Sequence, residues 1–147
     1  MATTHQFCTF YAAGLYFGLD VMKVQEIIRY QEMTRVPLAS PVVRGLINLR
    51  GQIVTALDLR RRLDLPDRPD DQSAINVVVQ TDDGAVSLLV DEIGDVLAVP
   101  ETDFERPPDT LTGPVRDLIL GAYKLPDRLL LILNTANTVN IATVGRI

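Results

Sequence analysis

The sequence predicts an all-β fold of about ten short strands in two groups of about five, each group closing into a small barrel and the two packed on each other. Three observations carry this expectation. Short apolar, β-branched runs recur between turn signals along the chain, at the spacing of sandwiches and barrels. No periodic segment supports a helix longer than two turns. A charged, proline-bearing stretch, Asp64–Gln72, divides the strands near the middle of the 147 residues. Closing each group removes most exposed strand edges. Neither half has enough core to stand alone, so an apolar seam between them is expected. A single larger sandwich is the competing architecture.

The elements follow in order. Residues 1–5 read as a frayed terminus. Gln6 to Ala12 and Leu15 to Leu19 form a hairpin about Ala13-Gly14. Asp20 caps one helical turn through Val21-Met22-Lys23-Val24, and Glu26 to Tyr30 is extended again. Gln31 to Arg35 is polar loop, and Val36-Pro37 forces an extended link. Ser40-Pro41 starts a short helix. Gly45 to Leu49 and Ile53 to Leu57 are strands about Arg50-Gly51, where Gly51 supplies a positive φ. Both strands are apolar on both faces, so one face lines a core and part of the other is covered. Asp58 caps a helical turn, with Leu59 and Leu63 inside and Arg60, Arg61 and Arg62 outside as a solvated face; a salt-bridging patch is the alternative.

After the divider, Ala74 to Gln80 and Ala85 to Val90 pair about Thr81-Asp82-Asp83-Gly84, since Asp-Gly is a favoured turn pair. Ile93 to Val99 is a strand ended by Pro100, and Glu101 to Pro114 is a long proline-bearing loop. Leu118 to Leu125 and Arg128 to Leu133 make the last hairpin, and Thr135 to Ile141 a short helix.

Hydrophobic residues are 47% of the chain, which supports a core and argues against disorder. A net charge of -5 argues against nucleic acid as the main partner. No apolar run is long enough to cross a bilayer, and no signal peptide is seen. Cys8 is the only cysteine, which excludes an internal disulfide and fits a reducing compartment, the cytoplasm by default.

No reaction centre is legible. His5 is the only histidine and falls in the terminal stretch, so Cys8 on its apolar strand lacks a partner base and reads as a small hydrophobe. One Cys and one His do not make a zinc site, and no cofactor or metal is expected. Gly45 and Gly51 lack the Gly-Lys-Ser/Thr of a phosphate loop. Asp82-Asp83-Gly84 is followed by apolar residues where a calcium loop needs ligands. Asp91-Glu92 reads as a strand-end pair in water. What stands out is apolar surplus on short strands, which marks either surface meant for other proteins or two halves that cover each other.

The run Arg44-Gly45 through Asn48-Leu49-Arg50-Gly51 to Asp58-Leu59-Arg60 resembles the signature of the CheW family, the adaptors of bacterial chemotaxis. The likeness extends from about Gln6 to Ile141. It includes Phe17-Gly18-Leu19-Asp20, Lys23-Val24-Gln25-Glu26-Ile27, Val90-Asp91 with Gly94-Asp95-Val96-Leu97, and Leu130-Leu131-Ile132-Leu133-Asn134. The resemblance implies one CheW-like domain over 1–147, built from two SH3-like five-stranded β-barrels with short helical turns. The first would span 15–64, the second 6–13 with 73–141, and 65–72 would link them.

It also implies a non-catalytic cytoplasmic adaptor at membrane-associated receptor arrays, linking the cytoplasmic tips of chemoreceptors to the regulatory domain of the histidine kinase CheA. By motif match the receptor side would be Val24, Glu26, Gly45, Arg50 and Ile53. The kinase side would be Ile75, Val86, Ser87 and Leu88. Arg50 would pair with Glu26 to shape the groove between barrels. Thr55 stands where family members often have Pro, and Ser87 where Gly can occur. A CheW-like scaffold of another pathway, controlling pili or a cyclase, is the alternative within the class. A small-molecule-binding regulatory barrel is the alternative outside it, and would show an enclosed pocket with convergent polar groups.

Overall fold

The computed structural model describes residues 3–82 and 84–140. Asp83 of the predicted turn, Met1 and Ala2, and Ile141 at the end of the predicted last helix lie outside the described residues. The strands are β1 (Thr4–Ala12), β2 (Leu15–Asp20), β3 (Val24–Ile28), β4 (Val43–Leu49), β5 (Gln52–Asp58), β6 (Ile75–Thr81), β7 (Gly84–Val90), β8 (Glu92–Pro100), β9 (Ile119–Lys124) and β10 (Leu129–Leu133). Three short helices accompany them: α1 (Leu59–Arg62), α2 (Gly113–Leu118) and α3 (Thr135–Thr138). Asp20 caps the 3-10 turn Val21–Lys23, its Oδ1 accepting from the Met22 amide at 2.9 Å.

The strands form two five-stranded mixed sheets, in the orders β8-β1-β2-β10-β9 and β3-β6-β7-β5-β4. This corrects the expected closed barrels. The end strands of each sheet do not pair with each other, so neither sheet closes. The hydrogen-bonding potential there is met locally instead. In the second sheet a single bridge joins Thr34, beyond β3, to Leu46 on β4; in the first, Glu105, beyond β8, bridges to Ala122 on β9. At both bridges a glycine admits the crossing backbone. A Cβ on Gly45 would lie 2.7 Å from the Thr34 carbonyl oxygen, and one on Gly121 would lie 2.3 Å from that of Glu105.

The two sheets repeat one plan. A hairpin, an edge strand, a second hairpin and a capped helical turn follow each other as β1 to α1, and again as β6 to α3. The leading hairpins are exchanged: β1–β2 joins β8, β9 and β10, while β6–β7 joins β3, β4 and β5. Each sheet contains one parallel pair at the point of exchange, β2 with β10 and β7 with β5. Both sheets therefore draw strands from each side of 65–72.

That exchange explains the core. The main cluster takes Phe10 and Phe17 from one hairpin, Val77 and Leu88 from the other, and Leu57, Leu59, Leu118 and Leu131 from the strands and helices around them. The expected apolar seam is this shared core. Smaller clusters add to it, with Phe7, Tyr123 and Leu130 from the first sheet and Ile47, Val54 and Val78 from the second.

Three local expectations also change. Residues 113–118 form α2, with Pro114 in its first turn, where a loop was expected. Ser40-Pro41 makes a hydrogen-bonded turn, Val43 N–H to Ser40 O at 2.9 Å, and no helix. His5 lies within β1, opposite Val99, with Asp20 at 3.4 Å and Glu101 at 3.7 Å.

Candidate functional site

The β4–β5 turn is made by two residues of positive φ, Arg50 at 53° and Gly51 at 89°. A two-residue turn with both centres left-handed matches the twist of paired strands. The Gly51 amide donates to Asn48 Oδ1 at 2.9 Å, which holds the turn. The turn throws the Arg50 side chain outward, 71% exposed, and its guanidinium Nη2 donates to Glu26 Oε2 on β3. Strands β3 and β4 are the two ends of their sheet, so this ion pair spans the side the hydrogen bonds leave open. An exposed pair contributes roughly 0–1 kcal/mol, so its effect is on shape.

Ile53, one residue into β5, is 61% exposed. On the same strand face Thr55 and Leu57 lead away from it. Thr55 and Leu57 line a cleft of about 380 Å³ together with Ala136 of α3 and Val139 and Asn140 just beyond it. Val86, opposite Thr55 in the parallel pair, lines the same cleft. The structure therefore joins Glu26 to Arg50 at the open side of the second sheet, leaves Ile53 exposed just beyond the same turn, and places Val86 with Thr55 and Leu57 in a cleft.

The other expected residues are less accessible. Val24 is half-buried against the main core, beside a bulge in β3. Gly45 is buried beneath the Thr34 crossing. Ile75 is half-buried on the core. Ser87 and Leu88 are fully buried on β7, an interior strand. Ser87 Oγ donates to Asn76 Oδ1 at 2.7 Å, while Asn76 donates to the Arg29 carbonyl at 3.1 Å. Their side chains support the sheet from inside.

A charged cluster lies in the interior, and its burial and the part of Asp91 in it were not foreseen from sequence. Asp91 is not the pair member in water that was expected, and the arginine triplet takes the alternative reading, a salt-bridging patch, in place of a solvated face. Asp91 is buried and accepts from Arg60 Nε at 3.0 and 3.2 Å, Arg60 Nη2 at 2.6 Å, Arg68 Nε at 2.9 Å and the Ala13 amide at 2.8 Å. Arg62 is also buried, donating to the carbonyls of Thr138 and Asn137 at 2.9 and 2.8 Å. Of the three, Arg61 alone keeps a third of its side chain in solvent, paired with Asp67 at 3.0 Å.

The reason is the cap. Asp58 Oδ1 accepts from the amides of Arg60 and Arg61, fixing a turn of α1 so tight that its arginines point to three sides. Burial alone would raise the Asp91 carboxyl, but hydrogen bonds from Arg60, the Ala13 amide and Arg68 outweigh it and hold it below the ordinary carboxylate range. Arg60 is raised in turn, chiefly by its bond to Asp91. Arg62 is lowered by burial. The signal for this cluster was in the motif itself: Asp58-Leu59-Arg60 and Val90-Asp91, far apart in sequence, meet at this bond.

Among the described residues no group of His, Cys, Asp and Glu could hold a metal ion. No described helix is long and apolar enough to cross a membrane. An apolar cavity of about 500 Å³ lies on the first sheet between Phe7, Phe104, Leu120, Tyr123 and Ile132.

Comparison with known proteins gives one consistent answer. Residues 6–142 match the family described as the CheW-like domain. Chemotaxis protein CheW of Bacillus subtilis (strain 168) is 33% identical over 137 residues, 93% of this chain and 87% of that protein. Chemotaxis protein CheW of Treponema pallidum (strain Nichols) is 29% identical over 133 residues, 88% of this chain and 78% of that protein. The crystal structure of scaffolding protein TtCheW from Thermoanaerobacter tengcongensis superposes with a TM-score of 0.81 at 25% identity, covering 91% of this chain and 86% of that one.

Proposed function

We infer function from a plain premise: this chain belongs to the CheW family. It is a non-catalytic adaptor that links chemoreceptors to the kinase CheA in chemotaxis signalling. The observation that carries this is a family match over nearly the whole chain, joined by a scaffolding protein's fold at a TM-score of 0.81.

The finer reading concerns faces. The receptor's cytoplasmic tip docks on a face that includes Glu26, Arg50 and Ile53. The ion pair sets the shape there and Ile53 supplies apolar contact. Gly45 acts by letting Thr34 cross, and Val24 acts by fixing the start of β3. The CheA regulatory domain meets the β6–β7 side through Ile75 and Val86, while Ser87 and Leu88 keep those strands in register from inside. The protein works in the cytoplasm, at membrane-associated receptor arrays.

Co-purification with a CheA regulatory domain and a receptor cytoplasmic fragment tests this reading. Retention of both by the wild type is expected, with Val86→Asp losing the kinase and keeping the receptor. Failure to retain either partner would overturn the adaptor assignment for this chain.

A further inference from the structure

We propose that the cleft between α1, the 65–72 loop and the chain beyond β3 is a binding site for a phosphate-class oxyanion. The observations are independent of the proposed receptor face. Two adjoining cavities, of about 240 and 400 Å³, share Tyr30 and Arg44 as walls. The smaller is completed by Arg68, Gln72 and Ser73, the larger by Arg35 and Arg61. Four guanidiniums thus line one recess on a chain of net charge -5. Asp70 is the one carboxylate among the described residues of the two walls.

Arg44 is paired with Asp58 at 3.2 Å and Arg61 with Asp67 at 3.0 Å. Asp91 is a single carboxylate serving two guanidiniums, Arg60 and Arg68. Arg35 makes no ion pair among the described residues. Arg68 is the telling group. Its side chain is only 7% exposed, yet its Nη2 is buried with no hydrogen-bond partner among the described residues. The Arg68 charge is already matched by Asp91 through Nε, but a buried N–H left without an acceptor is costly and rare, and an oxyanion oxygen would supply one to Nη2. Several forked donors around a small recess, with the Ser73 hydroxyl at hand, suit the three oxygens of a phosphoryl group better than one carboxylate. An anion there would draw on the same guanidinium that holds Asp91.

The test is an NMR titration of the whole protein with inorganic phosphate, at constant ionic strength set by chloride. Saturable shifts confined to the amides of Tyr30, Arg68, Gln72 and Ser73 are expected. Arg68→Lys keeps the charge but loses the fork and should weaken binding by about tenfold. Arg35→Gln and Ser73→Ala alter exposed positions, and a weakening in either supports the site even if the Arg68 variant does not fold. A phosphoserine peptide binding more tightly than phosphate would assign the phosphoryl group to a protein partner, and equal binding to a free phosphate. Non-saturating or scattered shifts, equal binding of acetate, or unchanged affinity in Arg35→Gln together with Ser73→Ala would overturn the proposal.

Discussion

Replacing Asp91 with Asn should be among the most destabilising conservative changes in this chain. Asp91 accepts five hydrogen bonds, three from Arg60, one from Arg68 and one from the Ala13 amide, at 2.6 to 3.2 Å. These join α1, the 65–72 loop and the β1–β2 turn, so one carboxylate ties both exchanged hairpins to the middle of the chain. The amide keeps the shape but removes the charge, leaving two mostly buried guanidiniums without a counter-ion. Removing one partner of a buried pair costs about 3–5 kcal/mol. For a domain of this size that corresponds to a Tm lowered by about 6–20 °C. Urea unfolding followed by circular dichroism measures the loss, with the slope against denaturant unchanged if the native fold survives.

The pH dependence supplies a second reading of the same bond. The Asp91 carboxyl sits below its ordinary value when folded. Its contribution is therefore fully present above the unfolded carboxylate value of about 4 and is lost as pH falls through the folded value. The gap in stability between wild type and Asp91→Asn should stay constant at neutral pH and close below about pH 4. A loss under about 1 kcal/mol, the size of a surface pair, would refute the reasoning. So would a gap that did not change with acid.

Other outcomes follow from the exchange of hairpins and the two crossings. Separate fragments 1–64 and 73–147 should each be unfolded by circular dichroism and should recover β structure when mixed, because each sheet takes strands from both; an independently folded fragment would contradict the topology. Gly45→Ala should lower stability by about 1–3 kcal/mol in chemical denaturation, since its Cβ would meet the Thr34 carbonyl at 2.7 Å. Gly121→Ala, with its closer approach to Glu105, should cost at least as much. Ser87→Ala should lose about 1–3 kcal/mol by stranding Asn76 in the interior, with kinase retention in pull-downs unchanged at temperatures where it is folded.

Strand positions were legible because their apolar runs end at Gly, Pro and Asp-bearing turns, as at Arg50-Gly51 and Asp20. The four hairpins were legible for the same reason; which hairpins share a sheet was not, because local pattern does not encode the exchange of β1–β2 with β6–β7. The same limit hid the open edges: a lone bridge at Thr34 or Glu105 leaves no periodic trace. Glu26 and Arg50 were legible as a pair through the family motif. Arg60, Arg62 and Asp91 were misjudged because charge predicts solvent unless a partner is in view, and theirs come from 31 residues away or, for Arg62, from the far end of the chain. The burial of Ser87 and Leu88 followed from the place of β7 inside its sheet, which no stretch of its own sequence reveals.

The account rests on the proposed receptor face, where Arg50 reaches across to Glu26 and Ile53 stands exposed beyond the same turn. Calorimetric titration of a receptor cytoplasmic fragment into wild type, Arg50→Ala and Ile53→Asp tests it most directly. The account predicts that each variant keeps its unfolding midpoint and binds at least about tenfold more weakly, a loss of about 1.4 kcal/mol. Wild-type affinity in both variants, with the fold intact, would contradict it.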